Sequence, residues 1–321
     1  MALIRHVPLA PKIDFISQRT LFLAFSTALV LGSLALFVFQ GLNLGVDFRG
    51  GTLIEIRTNG PADLASLRSR LGSLGLGEVT LQEFGRPDDV LINVQRQKGD
   101  EAAQLAAVAK IKKELGDTVS EYRRAEFVGP KVGSELREAG ALATGLALLG
   151  IAVYIWFRFE WHFALAALTA LVHDVIATIG FFALTQVEFN LATLAAVLTI
   201  AGYSINDTVV IFDRVRETLR KFKKLAIFDL LNLSINSTLS RSLLTSLTTL
   251  IALIALSVFG GEVIRGFTLG LIWGITIGTY SSIGLAVPML SFMNLRGGTT
   301  GKPEPAPEAA SEAATAGKAT P

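Results

Sequence analysis

The sequence predicts a membrane protein of six α-helical spans, with one small α+β domain inserted after the first span. Three observations carry that expectation. The 321 residues are 51% hydrophobic and only 17% charged, with a mean hydropathy of +0.51, whereas soluble domains carry about 25% charged residues. Six apolar runs are long enough to cross a bilayer, which takes about 20 helical residues at about 1.5 Å each. A single polar stretch, residues 42–137, is large enough to hold a core of its own.

Residues 1–19 form a polar cytoplasmic segment with Arg5, Lys12 and Arg19 before the apolar run Thr20–Phe39. A cleaved signal peptide has a shorter apolar core and a small-residue cleavage site. Here Gln40 and Gly41 lead into a domain, so residues 20–41 read as a retained first transmembrane helix. After GVDFRGGT (45–52) comes a strand-like run, Thr52–Arg57, and then a helix-like stretch, Pro61–Leu71, with Leu64, Leu67 and Leu71 on one face. Glu78–Phe84 and Val90–Val94 alternate, with Arg86, Pro87, Asp88 and Asp89 read as the turn between them. A helix over Glu101–Leu115 and a strand over Thr118–Val128 complete a βαββαβ order, the pattern of a ferredoxin-like sandwich. Residues 42–137 are thus expected to be a periplasmic ferredoxin-like domain without a catalytic constellation.

Residues 138–296 are expected to hold spans two to six. The apolar runs are Ala139–Phe157, Phe163–Leu184, Leu191–Phe212, Ser242–Phe259 and Phe267–Phe292. The links Arg158–His162, Thr185–Asn190 and Gly260–Gly266 are short. The link at 214–231 is long and holds Arg214, Arg216, Arg220, Lys221, Lys223 and Lys224. Gln186–Asn190 has no Lys or Arg, so the positive-inside rule puts both termini and the basic link in the cytoplasm. The domain at 42–137 then lies outside, and its fourteen Lys and Arg do not oppose this, because long translocated domains escape the rule. The basic link is a candidate contact for membrane lipid, or else a continuation into the fifth helix. Residues 297–321 have almost no large apolar side chain and read as a disordered cytoplasmic tail.

Composition also excludes chemistry. The chain has no cysteine and three histidines, which removes disulfides and thiol catalysis and argues against a zinc enzyme. No phosphate cradle, metal-ligand spacing or nucleophile–base pair occurs. The expectation is a protein that is not an enzyme, needs no cofactor or metal and binds no nucleic acid.

Its chemistry lies in polar groups inside the spans. Asp207 sits seven residues before Arg214 in the fourth span, about 10 Å inside if Arg214 marks the water boundary. An aspartate near a helix centre costs about 2.5–3.5 kcal/mol on insertion scales, and such groups face bundle interiors or cavities. The same span holds Ser204 and Asn206, and the third holds His173 and Asp174. In the fifth, Arg241 adjoins an apolar run of only 18 residues, about 27 Å against about 30 Å of hydrocarbon. The span therefore begins earlier and includes Arg241. Either Arg241 snorkels to phosphates or it faces Asp207 at similar depth as a buried pair; Arg214, two turns along one helix face, is a rival partner. His173 could relay protons, or His173 and Asp174 could be packing groups between helices. Ala195, Ala196 and Gly202 are small enough to let helices approach closely.

GVDFRGGT after the first span, PheValGlyProLysValGly at 127–133, AGYSINDTVVIFDRVRE in the fourth span, and Arg241 with TSLTT in the fifth resemble the SecF family. These proteins are the smaller membrane subunits of the SecDF auxiliary complex of bacterial protein export, within the RND superfamily. The motifs occur in order and cover the chain to about residue 296; the Ala/Pro-rich tail departs from them. The resemblance implies half of an RND-type bundle, paired with SecD, in the bacterial inner membrane. It implies work with the SecYEG translocon, with YajC and YidC as further partners, late in preprotein translocation and driven by the proton motive force. It places the proton-pathway carboxylate on Asp207 and the membrane arginine on Arg241. SecD subunits have a larger external domain and a ValAspAla form of the fourth-span motif, where this chain reads AsnAsp. The alternative function is half of an RND-type small-molecule efflux transporter.

Overall fold

The computed structural model describes residues 12–295 except 85, 98, 100 and 129. The expected tail at 297–321 and residues 1–11 of the amino-terminal segment lie outside the described residues. Among the described residues, six helices are long and apolar enough to cross a membrane: Ile16–Phe39, Val132–Arg158, Trp161–Thr185, Leu191–Lys221, Ile227–Phe259 and Ile264–Leu290.

The small domain follows α1 (Arg19–Phe39) and a single turn, α2 (Val46–Arg49). Its elements are β1 (Gly51–Thr58), α3 (Leu64–Gly72), β2 (Val79–Phe84), β3 (Arg86–Gln95), α4 (Glu101–Leu115) and β4 (Val119–Val128). The sheet order is β2-β3-β1-β4, and every adjacent pair is antiparallel, which is the split-βαβ arrangement that the alternating runs predict. Alternate residues Ile54, Ile56, Val90, Ile92 and Val94 meet Leu67, Leu71, Ile111 and Leu115 of the two helices in one core. Asp63 starts α3 by accepting from the backbone N–H of Ala65 and Ser66, both at 3.1 Å. The stretch 86–89 is strand, not the expected turn. Asp89 is drawn into the sheet because Arg57 on β1 donates to it at 2.8 Å and Arg123 on β4 at 3.2 Å.

The bundle continues with α5 (Pro130–Arg158), α6 (Trp161–Thr185), α7 (Leu191–Lys221), α8 (Ile227–Phe259) and α9 (Glu262–Ser281). A π turn (Ser282–Ala286) and α10 (Val287–Leu290) end the last span. Pro288 accounts for that turn: it has no N–H to give the Gly284 carbonyl, so an ordinary α ladder cannot run through it. α6 and α9 lie inside the bundle, whereas α1, α5 and α8 leave most of their surface exposed. Glycines recur every fourth residue on α9, at 266, 270, 274 and 278, and form the ridge that meets α7. A methyl at Gly274 would collide with Ile200, and one at Gly278 would stand 3.1 Å from Ser204 Cβ. Gly202, expected to aid close packing, is exposed with nothing near it within the chain.

The fifth helix begins at Ile227, so most of 214–231 belongs to α7 or α8 and only 222–226 forms the turn between them. At that end Asn232 Oδ1 accepts from the N–H of Phe15 and Ile16, and Asn236 exchanges two bonds with Ile13. At the opposite end the domain is sewn to the bundle. Phe48 of α2 stacks on Phe189, which meets Phe182 edge-on. Gly45 N donates to Phe189 O at 2.9 Å, and Phe189 N to Asn43 O at 2.7 Å. Gly51 closes the seam: its φ is 157°, and any Cβ there would lie 2.6 Å from the Val94 carbonyl.

Candidate functional site

Helix α7 carries a capping box at Asn190 and Thr193 and runs as one continuous helix through the bundle. Successive turns on its inner side place Ser204, Asp207 and Thr208, all buried. These polar residues are helical because the surrounding apolar residues supply the packing and every backbone group is satisfied within the helix.

Asp174 on α6 is fully buried and is the hub of the polar interior. Its Oδ1 lies 2.8 Å from His173 Nδ1. Its Oδ2 accepts from Ser204 Oγ on α7 and, at 2.7 Å, from Ser281 Oγ on α9. One carboxyl group thereby joins α6, α7 and α9. Thr208 and Ser282 share a hydrogen bond of 2.8 Å one turn further along. Tyr280 extends the polar layer to α1, where its hydroxyl donates to the Phe22 carbonyl at 2.8 Å and lies 2.9 Å from Ser26 Oγ. His173 Nε2 is buried without a hydrogen-bond partner.

Asp207 is different. It is only 4% exposed, yet its Oδ2 has no hydrogen-bond partner. Ser242 Oγ on α8 neighbours it and is likewise unpartnered, and Arg241 is within electrostatic reach. No ion pair joins Asp207 to Arg241, so the expected buried pair is not formed. The reason is azimuth: Ser242 occupies the inner face of α8, and Arg241, a residue earlier, projects outward and is exposed. Arg214, the rival partner, is engaged elsewhere, with Ser237 at 2.9 Å and Glu217 at 2.7 Å. Asn206 is exposed on the outer face of α7. The structure thus brings Ser204, His173 and Asp174 together, leaves Asp207 beside them, and turns Asn206, Arg214 and Arg241 away. Ser281, Ser282 and Ser242 join the site; their positions in Ser/Thr-rich stretches of two spans were the only sign of it in the sequence.

Among the described residues no group of three or more His, Cys, Asp or Glu is disposed to hold a metal. What the arrangement offers chemically is a satisfied acid, Asp174, next to an unsatisfied one, Asp207, in a low-dielectric interior where an unpaired carboxylate is costly.

Residues 107–296 match the family model described as protein export membrane protein SecD/SecF, C-terminal, and residues 35–62 match the SecD/SecF GG motif. The chain belongs to the SecD/SecF family. It is 48% identical to protein translocase subunit SecF of Rickettsia felis over 87% of this chain and 92% of that one. It is 45% identical to protein translocase subunit SecF of Calditerrivibrio nitroreducens, over 86% and 92%. The crystal structure of SecDF, a translocon-associated membrane protein from Thermus thermophilus, superposes with a TM-score of 0.77 at 33% identity. That superposition covers 89% of this chain and 39% of the SecDF chain, so the present fold corresponds to about two fifths of it. A SecDF structure in a super-membrane-facing form gives a TM-score of 0.67. This member of the SecD/SecF family is therefore a multi-pass membrane protein with an RND-like bundle. The GG-motif match covers the seam around Phe48 and Gly51, and the longer match covers the polar groups of α6, α7, α8 and α9.

Proposed function

We propose that this chain is the SecF-type auxiliary subunit of the Sec translocase and pairs with a SecD-type subunit across the outer face of α7 and α8. One observation carries the pairing. The exposed stripe of α7 is Ala195, Thr199, Gly202 and Asn206, beside an exposed Arg241 on α8. Small and polar residues at that spacing suit a partner helix and not lipid, because small side chains let helices approach closely and polar ones hydrogen-bond across the contact. Asp207 lies sixteen residues from the start of α7, about 24 Å along it, and Arg241 eighteen from the end of α8, about 27 Å. Their similar depth suits a pair that forms only when the partner or a change of state turns α8.

In this reading Asp207 takes up and releases the proton, Arg241 biases its charge, and the Asp174 hub holds α6 and α9 in register with α7. The proton motive force then drives late steps of preprotein movement through SecYEG, with YajC and YidC as further candidate partners. The small domain faces the periplasm, and both termini face the cytoplasm. Proton-dependent release of a translocating preprotein from membrane vesicles tests the assignment. Loss of release on depletion supports it, whereas normal secretion with raised drug sensitivity would favour small-molecule efflux.

A further inference from the structure

We propose that Glu188, in the link between α6 and α7, makes the seam between the sheet domain and the bundle respond to pH, docked when the carboxyl is protonated and loosened when it is charged. Glu188 reaches into the seam where the link is bonded to residues 43–45. Its carboxylate lies so close to Gly45 Cα that a side chain there would strike Oε1. It also lines a cavity of ≈ 50 Å³, together with Asn43, Arg49, Glu78 and Asn93, which is more room than a single water needs. Asn93 Oδ1 is buried without a partner.

The charges around it come from each packed element. α2 supplies Asp47 and Arg49; the start of β2 supplies Glu78. Arg265 of α9 lines an adjoining cavity with Glu188 and Gln82. Asp47 is committed to the start of α7, accepting from Leu191 N at 3.0 Å, and Arg49 is drawn to Glu78 at 3.4 Å. Among the described residues, the ion pair of Arg49 is with Glu78 and not with Glu188. Burial first, and the Asp47 charge second, push the Glu188 carboxyl above the ordinary carboxylate range against the opposing bond from Asn190. A raised value in the docked arrangement means that protonation favours docking. The stabilisation is complete at low pH and is lost as pH rises through the raised value. Each unit of difference between docked and released arrangements changes their ratio about tenfold. The response itself is independent of the proposed function; only its sense in the cell, with acid on the domain side, rests on the orientation argued above.

The chain contains no cysteine, so spin labels can be placed cleanly at Ser66→Cys on α3 and Phe259→Cys at the end of α8, both exposed. Pulsed-EPR distances are measured on the full chain in lipid nanodiscs from pH 5 to 8.5. One narrow distribution at low pH should give way to a broader one as pH rises. Glu188→Gln should keep the narrow distribution throughout, and Glu78→Gln should move the midpoint to lower pH. A distribution that does not change with pH, or a response that survives in Glu188→Gln, overturns the proposal. Amide exchange at Phe189 and Gly45 on the same samples separates loosening of the seam from unfolding of the domain.

Discussion

Ser204 and Asp207 stand one turn apart on the buried side of α7, and only the hydroxyl has its partner. Ser204 donates to Asp174, while Asp207 Oδ2 receives nothing. Asp207→Asn should therefore remove the proton-dependent part of export while leaving membrane abundance near wild type. Asn retains the shape and cannot ionise near neutral pH. Arg241→Met should act in the same direction. One charge crossing 100 mV is worth about 2.3 kcal/mol, enough to shift a two-state bundle by tens-fold. Immunoblots of membranes with vesicle release assays check both. Full release by a stable Asp207→Asn protein would remove Asp207 from the pathway, and rescue by an apolar double substitution would make the two residues a structural pair.

The Asp174 hub should behave oppositely. Asp174→Ala leaves His173, Ser204 and Ser281 without their acceptor, and stability should fall by about 3–5 kcal/mol, as when one member of a buried polar pair is removed. Ser281→Ala deletes one bond and should cost about 0.5–2 kcal/mol. Unfolding of the detergent-solubilised chain reads both. Abundance should drop before transport per molecule does.

Gly278→Val should also destabilise, because even the first added carbon would stand 3.1 Å from Ser204 Cβ. Overpacking of this kind costs about 1–3 kcal/mol. The same thermal measurement checks it, and an unchanged midpoint would mean that α9 does not seat on α7 as described.

Within the sheet domain, hydrogen bonding from Arg57 holds the Asp89 carboxyl below its ordinary value of 3.8. A depressed acid stabilises the fold above its unfolded value and loses that contribution as pH falls through the lower folded one. Protection of β1 and β3 amides, relative to their intrinsic exchange, should fall below pH 3.8 in the full chain, and Asp89→Asn should flatten that dependence.

Reporters test the orientation. One at the carboxyl terminus and one in the 222–226 turn should read as cytoplasmic, and one within 60–120 as external. An external signal from the 222–226 turn would overturn the topology.

The two periods, alternation in the strands and long apolar runs in the spans, made the ferredoxin-like domain and all six spans legible in advance. Azimuth was not legible. Whether residue 241 or 242 of α8 faces inward depends on a turn of about 100° that only packing decides, and in this chain by itself Ser242 is the inward one. The turn expected at 86–89 failed for a different reason: its Asp89 is stabilised inside the sheet by arginines from two other strands, partners far away in sequence. The small residues that the sequence singled out for close packing were Ala195, Ala196 and Gly202, whereas the ridge that seats on α7 is the glycine ladder of α9, which meets Ala196 and not Gly202.

The π turn after Ser281 stores one residue more than an α turn needs. Were it drawn straight, the part of the last span before it would rotate by about 100° against the part behind it. Ser281 and Ser282 bind different partners, Asp174 and Thr208, and such a rotation would carry one of them toward the other's seat while moving the other away. Cysteine accessibility at 281 and 282 in working vesicles would show whether the last span turns in this way.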